Sequence, residues 1–216
     1  MQELGPADLV AMFQAIRNAI EADKERLSRL DGAIGDADHG ITMAMGFDAV
    51  MQALGKLEAS ATDPTTILNT AAKSFLASVG ASAGPLYATA FMRAAAAVKG
   101  RQRLGREAVV GVLTAMAGGI VERGKAEPGQ KTMVDAWAPA AEAARHALDA
   151  GADLATCLDR AAEAAASGAE ATKALVATKG RAERLGERSR GHMDPGAASA
   201  ATMLRAMARF AGGAPA

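Results

Sequence analysis

The sequence predicts an all-α protein, an up-and-down bundle of about eight antiparallel amphipathic helices with its site at one rim. Three observations lead there. Alanine, the best helix former, supplies 56 of the 216 residues, whereas Val and Ile number only 10 and 6. No segment alternates convincingly with a period of two, and apolar residues recur instead at helical spacing. Pro and Gly residues punctuate the chain so that mostly short connections separate the patterned segments.

Pro6 sits in a first helical turn, and Leu9, Met12, Phe13, Ile16 and Ile20 follow on one face. That helix is expected to run to about Leu30, where Asp31-Gly32 stops it. A second pattern spans roughly 40–57. Asp63-Pro64 supplies an N-cap and a first-turn proline for a third helix that fades near Ser78. Pro85 opens a fourth, closed by Gly100, and a fifth covers about 106–123. The sixth covers about 132–150, with Pro139 kinking it or lying in an irregular first turn, and Gly151 closes it. A seventh runs from Asp153 to about Thr178 through the Ala-rich stretch, and an eighth follows Pro195-Gly196.

In up-and-down order the connections after helices 1, 3, 5 and 7 emerge at one end. Those loops are 31–39, 79–84, 124–131 and 179–195, and they hold nearly all of the unusual chemistry. The opposite-end connections, around 58–63, 100–105 and 151–152, read as ordinary caps and turns.

Composition narrows the function. The 24 basic and 24 acidic residues cancel, which argues against a nucleic-acid partner. The single Cys157 excludes a disulfide framework and a cysteine zinc site. No apolar run approaches the roughly 18 residues of a membrane span; Val109 to Val121 is short and broken by glycine. The N-terminal Met1-Gln2-Glu3-Leu4-Gly5-Pro6 lacks a basic segment followed by an apolar one. A soluble, cytoplasmic protein of one domain over 1–216, with no membrane partner, is expected.

The first rim loop places Asp31, Asp36 and Asp38 within eight residues, just before His39 and Gly40. Such carboxylates repel one another unless a cation joins them, and an oxygen-only set suits Mg²⁺, or Ca²⁺ or Mn²⁺. The order is not that of an EF-hand, since Thr42 stands where the twelfth-position carboxylate belongs. A polar turn with Asp38 capping the second helix is the competing reading. His39 is open to a role as ligand, base or cap; His192, in the last rim loop, is a better partner for it than His146. The glycine loop Gly80-Ala81-Ser82-Ala83-Gly84-Pro85 offers free N–H groups at a helix start, or is a plain turn. Gly124 to Thr132 nearly spells a Walker A loop, but Gln130 intrudes before Lys131 and no strand precedes it. Lys179, Arg181, Arg184, Arg188 and Arg190 punctuate the last loop in the manner of a flexible phosphate clamp, with a solvated charged loop as the competing reading.

In order along the chain, Gly35-Asp36-Ala37-Asp38-His39-Gly40, Gly84-Pro85-Leu86-Tyr87, Gly129-Gln130-Lys131-Thr132-Met133-Val134-Asp135-Ala136-Trp137, and Gly180-Arg181-Ala182 through Gly191-His192-Met193-Asp194-Pro195-Gly196 together resemble the L subunit of bacterial dihydroxyacetone kinase. The resemblance covers essentially the whole chain. It implies a barrel of eight antiparallel helices that caps a nucleotide, ADP or ATP, at one end. It further implies that Asp31, Asp36 and Asp38 hold two Mg²⁺ ions. Two dications against three carboxylates leave one positive charge facing the phosphates. His39, Gly40, Ile41 and Thr42, with Ser82 and Ala83, would contact the nucleotide at its phosphates. Gly124 and Met133 would border the adenine, and Arg181, Asp194, Pro195 and Gly196 would close the site. Arg181 and His39 would be the catalytic residues. Two positions depart from the family pattern: Thr42 stands where Asn is usual, and Ser82 is shifted relative to Gly84-Pro85. Thr still donates one hydrogen bond, so tuning rather than loss is expected.

The implied activity is transfer of a phosphoryl group to dihydroxyacetone or a related keto-sugar held by a separate ketone-binding subunit. A phosphohistidine-bearing phosphotransferase subunit would recharge bound ADP; exchange of ATP is the alternative. A stand-alone Mg²⁺-dependent phosphohydrolase and a helical interaction protein without nucleotide are the readings from other classes.

Overall fold

In the computed structural model, residues 3–57, 62–80 and 82–213 are described. Eight α-helices account for most of them: α1 (Pro6–Ile34), α2 (His39–Leu54), α3 (Pro64–Ser78), α4 (Ala83–Ala97), α5 (Arg106–Gly124), α6 (Val134–Asp149), α7 (Leu154–Ala171) and α8 (Pro195–Ala211). Each packs against its neighbours in the chain, and α8 returns to α1, so the bundle closes into a ring. A two-residue strand pair, β1 (Glu3–Leu4) with β2 (Leu104–Gly105), fastens the N-terminus to the end opposite the rim.

The wall is built largely from alanine, and the aromatic side chains fill the middle. Phe13, Phe47, Phe75, Tyr87, Phe91 and Trp137 form one connected cluster with ring centroids 5.4–6.4 Å apart, mostly edge-on or tilted. These are six of only seven aromatic residues in the chain. Small residues elsewhere let helices approach closely. Pro139 lies inside α6 rather than in a first turn and removes the N–H that would bond the Asp135 carbonyl. That carbonyl packs on Gly168 of α7, where a side-chain carbon would stand 2.0 Å from the oxygen.

Several ends differ from the sequence reading. α1 continues one turn past Leu30 and carries Asp31 with it, because Gly32 tolerates helical backbone and Gly35 ends the helix instead. α4 opens at Ala83, two residues before Pro85. α2 ends at Leu54 rather than 57, and α7 ends at Ala171 rather than Thr178, passing through a tight turn over Thr172–Ala174. The expected turn around 58–63 falls partly on residues 58–61, outside the described residues, as do Ala81, Met1 and Gln2. Asp63 caps α3 as expected, accepting from Thr66 N–H at 2.7 Å.

The last rim loop also departs from expectation: it is folded. Residues Arg181–Ser189 wind into 3-10 turns that are kinked at Gly186. Ala177, Ala182 and Leu185 make a small apolar cluster with Ile34 of α1. Ser189 is fully buried, accepts from Ala177 N–H at 2.9 Å and donates to the Gly186 carbonyl at 2.7 Å. A segment with its own core and internal hydrogen bonds is a cap, not a solvated strap.

Candidate functional site

The four odd-to-even connections meet at one end around an open cavity of about 510 Å³. Every rim loop contributes to its lining, and α2, α4, α6 and α8 all begin there. The first N–H groups of a helix have no partner within it, so four sets of such donors gather at this mouth.

The acidic loop is organised by Asp31. Buried in the last turn of α1, its Oδ2 accepts from the N–H groups of Asp38 at 3.0 Å and His39 at 3.2 Å. These bonds fold residues 35–38 back over the helix end, with Ala37 at a positive φ of 65°. Asp38 occupies the N-cap position of α2, but its side chain makes no capping bond. Asp31, Asp36 and Asp38 therefore present oxygens within 4.8 Å of one another. Asp31 also sits at the negative end of α1, where a carboxylate finds no help from the helix dipole. Three converging carboxylate oxygens in that setting fit a hard divalent cation. Arg181, reaching down from the cap, forms an ion pair with Asp36.

His39 lines the cavity, and its Nε2 lies 2.9 Å from Ser199 Oγ on α8. Burial lowers the imidazole pKa, with the Asp31 charge opposing it. Thr42, Ser82, Ala83, Gly124, Met133, Arg181, Asp194, Pro195 and Gly196 line the same cavity, as do all three aspartates. Gly40 and Ile41 do not. Gly40 is buried where α2 meets α1, with a hypothetical side-chain carbon only 2.0 Å from the Lys24 carbonyl, and Ile41 is 52% exposed on the outer face. Only their backbone at the start of α2 is placed toward the rim. His192 does not join His39; it contributes its carbonyl to Lys131.

Lys131 is the residue the sequence reading passed over, since it was weighed only as part of a failed Walker loop. It is 1% exposed and adopts a positive φ of 60°. Its ammonium donates to the Thr172 carbonyl at 2.6 Å and to the His192 carbonyl, tying the third rim loop to both ends of the fourth. Burial lowers its pKa, with the Asp194 and Asp135 charges opposing. Asp135 holds the third loop in shape by accepting from Gly129 N–H and, at 2.8 Å, from Thr132 N–H. Asp194 caps α8 through Ala197 N–H at 2.7 Å, and burial pushes its carboxyl up to about 7. Thr172 completes the junction, its hydroxyl accepting from Asp194 N–H at 2.9 Å. The one available sequence signal was that Lys131, Asp135 and Asp194 all lie in the quoted motifs; nothing in their spacing revealed the mutual contacts.

A closed eight-helix ring with this mouth belongs to a recognised class. The chain belongs to the DAK2 domain family, whose pattern matches residues 33–209. It is 43% identical over 205 residues to the ADP-binding subunit DhaL of the PEP-dependent dihydroxyacetone kinase of Escherichia coli, covering 95% of this chain and 97% of that one. It is 36% identical to the corresponding subunit of the PTS-dependent kinase of Lactococcus lactis, over 87% of this chain and 88% of that one. Among solved structures, the dihydroxyacetone kinase of C. freundii in complex with AMP-PNP and Mg²⁺ superposes with a TM-score of 0.70 at 25% identity. The match covers 97% of this chain and 35% of that longer kinase. Among the described residues no helix is long and apolar enough to cross a membrane.

Proposed function

We propose that this chain is the nucleotide-carrying subunit of a kinase for dihydroxyacetone or a related keto-sugar, acting as a single domain in the cytoplasm. It holds Mg-ADP or Mg-ATP and delivers the phosphoryl group to a ketone bound on a separate subunit. The observation that carries this reading is the meeting of Asp31, Asp36, Asp38 and Arg181 at one mouth of a cavity lined by all four rim loops. The relatives' names support it: subunits of nearly the same extent serve PEP- and PTS-dependent dihydroxyacetone kinases.

In this assignment Asp31, Asp36 and Asp38 hold two Mg²⁺ ions. Bound there, such cations would supply positive charge to offset the negative charge of the phosphate oxygens during transfer. Thr42 and the backbone N–H groups of Gly40 and Ile41 at the start of α2, with Ser82 and Ala83 at the start of α4, face the phosphates, and His39 lines the cavity beside them. Gly124 and Met133 lie on the base side, where Leu86 and Ile120 add an apolar wall. Arg181, Asp194, Pro195 and Gly196 close the site. Arg181 places a planar pair of donors where charge spreads over the equatorial oxygens of a loose transition state.

The PEP- and PTS-dependent relatives favour a cycle in which ADP stays bound and a phosphohistidine-bearing phosphotransferase subunit recharges it. The test is to dialyse the pure protein extensively, heat-extract it and analyse the nucleotide. Turnover is then measured alone, with a ketone-binding subunit, and with a phosphohistidine donor added. Retained ADP and turnover only in the full mixture are expected. Hydrolysis of phosphate esters by the chain alone would replace this reading with a hydrolase. Absence of both retained nucleotide and Mg²⁺-dependent nucleotide binding would overturn it.

A further inference from the structure

A buried line of hydroxyl and ring groups runs from the aromatic core to His39. Trp137 Nε1 donates to Tyr87 Oη at 3.4 Å. The Tyr87 hydroxyl lies beside Ser199, which is fully buried and donates its own proton to the Gly196 carbonyl at 3.0 Å. His39 Nε2 meets the same Ser199 oxygen at 2.9 Å. These residues come from four helices: Trp137 from α6, Tyr87 from α4, Ser199 from α8 and His39 from α2.

The direction of this line follows from what each group is able to donate. An indole N–H is a donor only, so Tyr87 Oη must accept from Trp137. The phenolic proton is then free to go to Ser199. The Ser199 proton goes to Gly196, so Ser199 Oγ has only lone pairs left for Tyr87 and His39. A neutral imidazole bonded to an acceptor through Nε2 must carry its proton there, which leaves a lone pair on Nδ1. No protein group bonds Nδ1 among the described residues, and the ring lines the cavity.

We propose that Ser199, backed by Tyr87 and Trp137, is a positioning residue that locks neutral His39 as the Nε2–H tautomer, so that Nδ1 meets the ligand as a hydrogen-bond acceptor. The side chain then addresses a hydrogen-bond donor, either a water held by a cation or a nucleotide hydroxyl, and not a phosphate oxygen. The sequence gives no hint of this, because Ser199 lies 160 residues from His39 in an Ala-rich helix. The identity of the donor rests on the nucleotide-binding reading; the tautomer does not.

The experiment uses the full chain labelled with ¹⁵N-histidine, free of nucleotide, at about pH 8, above the ordinary imidazole pKa of about 6.5. Only three histidines are present, so His146→Gln and His192→Gln leave the His39 ring signals assigned. Wild type is expected to show a proton-bearing Nε2 and a lone-pair Nδ1. Ser199→Ala is expected to turn that pair into averaged signals of mixed tautomers and to weaken Mg-ADP binding about fivefold, the equivalent of one hydrogen bond. A protonated Nδ1 in wild type, or unchanged signals in Ser199→Ala, would overturn the proposal. The wild-type spectrum decides the tautomer even if the variant does not fold. Mg²⁺ alone moving the Nδ1 signal identifies a metal-bound water, and movement only with ADP identifies a hydroxyl. Movement with neither, in a protein that binds Mg-ADP, would refute the acceptor role. Failure of wild type to bind Mg-ADP at all would count instead against the nucleotide-binding reading.

Discussion

Lys131→Met should loosen the cap and lower stability together. Methionine matches the length of the lysine stem and is equally subject to the left-handed backbone at this position, so backbone strain largely cancels between the two proteins. What changes is the ammonium. The His192 carbonyl loses its donor, and the Thr172 carbonyl keeps only the Leu175 N–H at 3.1 Å. An unsatisfied buried polar group costs about 1–3 kcal/mol, and relief of the ammonium's desolvation offsets part of that. The net loss should be about 1–2 kcal/mol, which for a chain of this size lowers Tm by roughly 2–8 °C. Calorimetry of the nucleotide-free protein measures it. Limited trypsin digestion reports the accompanying release of the cap, with faster cleavage after Arg184 and Arg188. Mg-ADP should restore part of the loss, because a ligand touching all four loops stabilises only the closed form. A variant that melts within about 1 °C of wild type and resists trypsin equally would refute the view of Lys131 as the tie between the third and fourth loops.

Asp38→Asn should abolish Mg²⁺-dependent nucleotide binding by calorimetric titration while leaving the apo melting temperature equal or higher, since it relieves carboxylate repulsion. Asp31→Asn should also lose binding but melt lower by a few degrees, because Asp31, unlike Asp36 and Asp38, accepts two loop N–H groups. Arg181→Ala should hardly change stability, since its pair with Asp36 is half exposed, yet lower turnover of the reconstituted kinase at least about a hundredfold with a smaller effect on nucleotide affinity. Arg181→Lys should restore little; an affinity collapse with normal saturated turnover would make Arg181 a binding clamp only. The Asp194 carboxyl is pushed by burial from 3.8 up to about 7, so the native state holds that proton more tightly than the unfolded chain does. Its contribution to stability is fully present below about pH 4 and is lost as pH rises toward 7. Asp194→Asn, which still caps α8, should therefore gain in Tm over wild type as pH is raised from about 5 to 8. A Tm difference that does not grow with pH would refute the burial of an ionising carboxyl there.

The local chemistry of the chain was enough to place the helices and the rim. Asp63 before Pro64, Gly151 after α6 and the apolar stripe of α1 are short-range signals that need no tertiary context. The up-and-down order then put the acidic, glycine-rich and arginine-rich loops at one end, and all four do line one cavity. Helix ends were less legible. Whether Asp31 lies in a loop or in the last turn of α1 depends on its bonds to Asp38 and His39, which form only once the loop has folded back.

What only the tertiary structure decided is how the side chains of distant segments pair. Lys131 reads in sequence only as part of a failed Walker loop, and its burial follows from carbonyls supplied 41 and 61 residues away. Gly168 on α7 is needed only because the carbonyl that Pro139 frees on α6 packs against it. The arginine-rich loop reads as solvated because its charges dominate its composition, whereas its fold rests on Ala177, Ala182 and Leu185 covering Ile34. Ser199 is one small residue among alanines until the ring closes and brings α2 and α4 to it. Periodicity and capping act over a few residues and are written in local order; a hydrogen bond between helices depends on the packing that brings its partners together.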